Sequence, residues 1–66
     1  MADSEPKFII FGDVLHGYWW RLRSAEGVTV ESSGRRHPRK AECEGEVRRL
    51  RVERYPHAKV RDATIG

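Results

Sequence analysis

A nucleophile needs a base within reach and a third group to orient that base, and this chain offers few side chains for such a set. Cys43 is its only cysteine, and its histidines are His16, His37 and His57. The histidines fall in three separate loop-like stretches, and no His, Cys or Asp spacing of a zinc site links them. Cys43 shares a helical stripe with Val47 and Leu50, which assigns it to the core, where a thiol behaves as a small hydrophobe. Glu42, Glu44 and Glu46 sit among arginines on that helix and read as a solvated face rather than as a paired acid and base. The expectation is therefore no catalytic residue, no metal, no cofactor and no enzymatic activity.

The cations are more informative. The formal net charge is +3. It is uneven: Arg35 to Arg61 carries ten Lys and Arg against four Glu, whereas Met1 to Trp20 carries Lys7 against Asp3, Glu5 and Asp13. Arg35, Arg36, Arg39 and Lys40 cluster just before and at the start of the helix. Cations are unfavourable beside the positive end of a helix dipole, while the free backbone N–H groups there suit an anion. These four residues are thus candidate contacts for an anion or a nucleic acid. Arg48, Arg49, Arg51 and Arg54 lie near the other end, where they complement the dipole. A second candidate is the strand bearing Trp19, Arg21 and Arg23. Alternation places all three on one face of a sheet, which can present aromatics and arginines to nucleic acid.

The elements that position these residues follow from pattern. Lys7 to Phe11, Tyr18 to Ser24 and Val28 to Ser32 alternate as strands, separated by Gly-containing turns. Pro38 to Arg54 has helical spacing and stops at Tyr55-Pro56. Antiparallel pairing sets Phe8 opposite Leu22, Ile10 opposite Trp20 and Phe11 opposite Trp19. A three-residue loop with a left-handed Gly27 pairs Ser24 with Val28 and Leu22 with Val30. The expected fold class is α+β, β-β-β-α(-β): a three-stranded antiparallel sheet packed by one helix, with Ala58 to Ile65 either a short final strand or a tail. Residues 1–6 read as a disordered lead-in, 7–62 as a single domain and 63–66 as a tail. The expected core is Phe8, Ile10, Trp20, Leu22, Val30, Val47 and Leu50.

The opposite face would carry Ile9, Phe11, Trp19, Arg21, Arg23, Thr29 and Glu31, with Arg21 paired across strands to Glu31. One helix cannot cover both faces of a sheet, and an exposed apolar patch usually marks an interface. Ile9, Phe11 and Trp19 are therefore the expected contacts of a homodimer. A chain of 66 residues buries only about 60% of its unfolded surface, so a second subunit would also help stability. A lone cysteine, a polar start and no apolar run long enough to span a bilayer suggest a cytoplasmic protein without membrane contact.

In order and spacing these residues resemble the YegP-like family of small bacterial and archaeal proteins. The matching features are Lys7-Phe8-Ile9-Ile10-Phe11, Asp13 before a glycine turn, and Trp19-Trp20-Arg21-Leu22. Gly27, Val30, Ser33-Gly34, Lys40-Ala41, Cys43 and Val47 follow. The resemblance covers roughly Lys7 to Arg61 and implies three strands and a helix per repeat, with one repeat here. It implies that a homodimer would replace the second repeat that some members carry. It transfers no activity, because the family has none established. The chain departs from the family at Arg35-Arg36-His37-Pro38-Arg39, where an aromatic is usual and His37 is the stand-in. It departs again at Glu46-Val47, where a Gly-Ile pair is usual. Two functions are expected on these grounds: a homodimeric interaction module that binds itself or another protein, or a nucleic-acid-binding protein using the basic loop and the Trp/Arg strand.

Overall fold

The computed structural model describes residues 5–65; most of the expected lead-in and the last residue of the tail lie outside them. The elements in order are β1 (Lys7–Asp13), β2 (Gly17–Arg23), β3 (Thr29–Ser32), α1 (Lys40–Glu53) and β4 (Lys59–Asp62). The fold is α+β, with one helix on a four-stranded mixed sheet of order β3-β2-β1-β4.

β1 and β2 are rich in aromatic and β-branched residues, which favour a pleated, half-buried surface. They pair antiparallel with Phe8 opposite Leu22, Ile10 opposite Trp20 and Phe11 opposite Trp19, as the alternation predicts. The second turn also forms as expected: Gly27 has φ 86°, and the Ser24 N–H donates to Val28 O at 2.9 Å.

Beyond that turn the register differs. A bulge at Leu22/Arg23 places Leu22 opposite Glu31 and Arg21 opposite Ser32. A slip of one residue exchanges the faces of a strand. Val30 is consequently 58% exposed and leaves the core. Glu31 moves to the helix side, where its carboxylate accepts from Tyr55 Oη at 3.2 Å and from Arg54 at 3.3 Å. The expected Arg21–Glu31 pair does not form.

The helix is built from good helix formers, with Glu42 in its first turn and Arg51 in its last, both favourable to the dipole. Cys43 and Val47 are buried and Leu50 packs against them from the margin. Their targets are Phe8, Ile10, Trp20 and Leu22, joined by Ala58 from the return segment. Phe8 packs edge-on against both Trp20 and Tyr55, at 5.4 and 5.9 Å between centroids. Burial pushes the Cys43 thiol up to about 11, which keeps it protonated and inert at neutral pH.

β4 corrects the purely antiparallel expectation, because it runs parallel to β1 with Phe8 beside Val60. The reason is length. A helix of 14 residues rises about 21 Å, close to the span of a seven-residue strand, so it returns the chain to the start of β1. Arg51 Nε donates to Ala58 O at 2.9 Å and the Lys59 N–H to Pro6 O at 3.2 Å, which fixes the entry. Among the described residues no helix is long and apolar enough to cross a membrane.

Trp20 is the largest side chain of this core, and its indole also makes a hydrogen bond to the helix. Trp20→Ala should cost about 3–5 kcal/mol, enough to abolish the cooperative urea transition seen by circular dichroism. A soluble Trp20→Ala protein with an unchanged urea midpoint would refute this packing.

Candidate functional site

The helix covers one face of the sheet. On the other, alternation brings Lys7, Ile9 and Phe11 of β1 together with Trp19, Arg21 and Arg23 of β2, and Arg61 of β4 lies beside Ile9. Phe11 and Trp19 stack at 5.9 Å between centroids with 19° between planes. Each carries a guanidinium. Arg21 Cζ lies 5.7 Å from the Phe11 centroid, and Arg36 Cζ lies 4.5 Å from the Trp19 centroid, both within cation–π range.

This arrangement changes the reading of the apolar residues. Ile9 is only 9% exposed, and Phe11 and Trp19 are half-buried. Phe11 and Trp19 cover each other by stacking, and a guanidinium lies over each ring. The patch from which a dimer contact at Ile9, Phe11 and Trp19 is expected is therefore largely covered within one chain.

The basic loop is divided by the fold. Arg35 and Arg36 join Trp19, Arg21, Ser32, Ser33 and Gly34 around an open cleft of about 250 Å³. Arg36 is also held by donation to His16 O at 3.2 Å. Lys40 turns away and pairs with Asp62 of β4, and that contact, with hydrogen bonds from Thr64, holds the Asp62 carboxyl well below the usual range. Arg39 is exposed at the N-cap with no side-chain capping bond. The four residues thus do not form one site: Arg35 and Arg36 belong to the sheet face, Lys40 to the helix–β4 contact. A second depression on the same face, about 330 Å³, is lined by Glu5, Lys7, Ile9, Arg23 and Arg61, with Ser24, Ala25 and Gly27. Arg23 Nε is shielded there and has no hydrogen-bond partner among the described residues.

Two residues that pattern assigns elsewhere position this surface. His37, expected in a free loop, is buried at 6% exposure. Its backbone pairs with Tyr18 in both directions, at 2.8 and 2.7 Å, so the loop adds a bridge beside β2. Gly17 permits this approach: its φ is 83°, and a Cβ there would meet His37 O at 3.1 Å. Glu46, expected on the solvated helix face, instead accepts from Trp20 Nε1 at 2.6 Å and faces His37 Nε2 at 3.0 Å. Burial pushes the Glu46 carboxyl up, but the bonds from Trp20 and His37 outweigh it and hold the pKa below its ordinary value. The sequence signal for Glu46 is its spacing of three residues from Cys43, which puts it on the flank of the buried stripe.

Among the described residues no three His, Cys, Asp or Glu side chains come together as metal ligands. His16 is engaged locally with Asp13, Nδ1 lying 2.9 Å from Oδ1. No protein-family model, curated protein or solved structure matches this chain.

The Glu46 network gives a signed pH dependence. A carboxyl whose folded pKa is depressed contributes stability that is present above its unfolded pKa and is lost as pH falls through the folded value. Glu46→Gln should therefore be less stable than the parent above about pH 4.5, the ordinary Glu value. That difference should shrink as pH falls further. Urea midpoints of both proteins at neutral and acidic pH measure it, and a difference that grows on acidification would contradict the assignment.

Proposed function

We propose that this chain is a nucleic-acid-binding module that uses the sheet face opposite the helix, without chemistry of its own, to hold a phosphate backbone. The observation that carries the proposal is the joined set Arg36–Trp19–Phe11–Arg21 at the rim of the Arg35/Ser32/Ser33 cleft. Arginine is suited to phosphate because its planar fork can donate two parallel hydrogen bonds. The Ser32 hydroxyl adds a neutral donor of the kind that contacts phosphate oxygens, while Ser33 Oγ donates to Arg35 O at 2.8 Å. The resemblance to the YegP-like family supplies a fold and no activity, so the argument rests on this face.

The arginines over both rings favour a duplex over a single strand. Single-strand binders use bare aromatic faces on which bases stack. Here Trp19 and Phe11 brace guanidiniums, so the surface presents charge outward. The same feature argues against a second copy as the occupant of this face. A two-fold interface is self-complementary, and pairing this surface with itself would bring Arg21, Arg23 and Arg36 of two copies together.

Fluorescence anisotropy with a labelled duplex across a salt series tests the proposal. Log affinity should fall linearly with log salt, by about 0.9 for each phosphate neutralised. Replacing Arg21, Arg23, Arg36 and Arg61 by Gln should flatten that slope by about the same amount per lost contact, with circular dichroism unchanged. Replacing Arg48, Arg49 and Arg54 on the helix side should leave the slope as it was. No binding even at low salt, or equal slopes for the two sets, would overturn it.

A further inference from the structure

The second depression on the basic face, about 330 Å³, has the volume of a small-ligand pocket, roughly 300–1,000 Å³. It brings together cations from three strands: Lys7 of β1, Arg23 of β2 and Arg61 of β4. Lys7 stands directly opposite Arg23, and like charges so placed repel. An anion lying between these cations would relieve that repulsion. One donor is unsatisfied: Arg23 Nε is shielded from water and has no hydrogen-bond partner among the described residues. A guanidinium meets an oxyanion through two parallel N–H bonds, and Nε–H can supply one of them. The Ser24 hydroxyl lines the same depression. Its Oγ accepts from the Val28 N–H at 3.3 Å, and a hydroxyl that accepts one bond keeps its own proton to donate.

We infer that this depression takes the terminal phosphate of a nucleic acid, a phosphomonoester, so that the protein recognises duplex ends. The inference rests on the proposed nucleic-acid function and adds a separate site for the end. Charge distinguishes a terminal phosphate from an internal one. The three cations and the Glu5 carboxylate leave two positive charges around the depression. A phosphomonoester carries about 1.5 to 2 negative charges at neutral pH, whereas each internal phosphate carries one. Position agrees with charge. The β2–β3 turn bounds the depression through Ser24 and Gly27, so it lies where the basic face stops. Trp19 in the first cleft and Arg23 in the second share this face four residues apart on β2, about 13 Å along the strand. A duplex whose backbone lies on Arg36 and Arg21 can therefore end on Arg23.

A comparison of strand ends on the intact chain tests this. One labelled duplex is prepared with phosphate, hydroxyl or methyl phosphate at its ends, and the three affinities are measured at fixed salt. The phosphate duplex should bind tighter than the hydroxyl duplex by about tenfold, the factor that one added hydrogen bond to a charged group supplies. The methyl phosphate duplex, which has lost the second charge, should fall between them. Lys7→Gln/Arg61→Gln, at two exposed positions, should abolish the preference for phosphate, and Arg23→Gln should do the same. Arg21→Gln/Arg36→Gln should weaken all three duplexes and keep their ratio. Equal affinity for phosphate and hydroxyl ends, with normal salt-dependent binding, would overturn the inference and leave the proposed function standing. So would a preference that survives in both Lys7→Gln/Arg61→Gln and Arg23→Gln, or a methyl phosphate end that binds as tightly as a phosphate end. Absence of binding to any duplex would overturn both readings, even if a free nucleoside monophosphate binds, because the ligand would then be a small molecule and not a strand end.

Discussion

The architecture turns on one carboxylate oxygen. Glu46 Oε1 receives the Trp20 indole N–H at 2.6 Å and faces His37 Nε2 at 3.0 Å. A buried indole needs a partner for its N–H, and an unpaired one in this core would cost the desolvation of the donor. Glu46 meets that need from the helix, so the sheet and helix are joined by a directional bond as well as by apolar contact. Its second partner reaches further. His37 is the residue that pairs with Tyr18, and that pairing directs Arg35 and Arg36 onto the opposite face. A polar node on the helix side of the sheet thus determines where the cations stand on the other.

Small size forces a compromise on the two faces of the sheet. One helix of 14 residues covers β1 and β2 from one side, and among the described residues no second layer lies on the other. The other face is shielded by side chains instead of by an element. The guanidiniums of Arg21 and Arg36 lie over Phe11 and Trp19, so the aromatic surface is shielded by cation–π contact. Lysine would cover the rings less well, because its compact, strongly hydrated ammonium lacks a flat face to lay on a ring. The same arginines therefore shield the rings and create the basic surface.

What was legible in the sequence was local. The alternation in Lys7 to Phe11 and Tyr18 to Ser24 gave the β1–β2 register, and Gly27 gave the β2–β3 turn, because both depend on neighbours within a hairpin. The helical stripe of Cys43, Val47 and Leu50 was legible for the same reason. The bulge at Leu22/Arg23 was not, since what favours it lies far along the chain: Glu31 gains Tyr55 and Arg54 by facing the helix. The parallel course of β4 depends on the length of the helix acting with the place where β1 begins. Of the candidate site, Trp19, Arg21, Arg23, Arg35 and Arg36 were legible as types on a strand and in a loop. Their meeting on one face required His37 and Glu46, two polar residues whose burial only tertiary structure reveals. Lys40 stands at the start of the helix as its pattern has it, but its pairing with Asp62 was not legible, because that partner comes from a strand whose pairing the pattern left open.

Concentrating cations on one face has a thermodynamic consequence. Lys7 stands opposite Arg23 across β1 and β2, with Arg21, Arg36 and Arg61 on the same side of the sheet, and like charges placed opposite each other weaken a sheet. The unfolded chain separates these charges, so the repulsion is borne by the folded state alone. A ligand that binds only the folded state stabilises it in proportion to the logarithm of its concentration over its dissociation constant. A polyanion on this face would do so while also removing the repulsion that the fold otherwise bears. Folding and binding are then coupled through the same guanidiniums. In a chain whose core is limited to a few large side chains and one cysteine, that coupling links the stability of the sheet to the occupancy of its basic face.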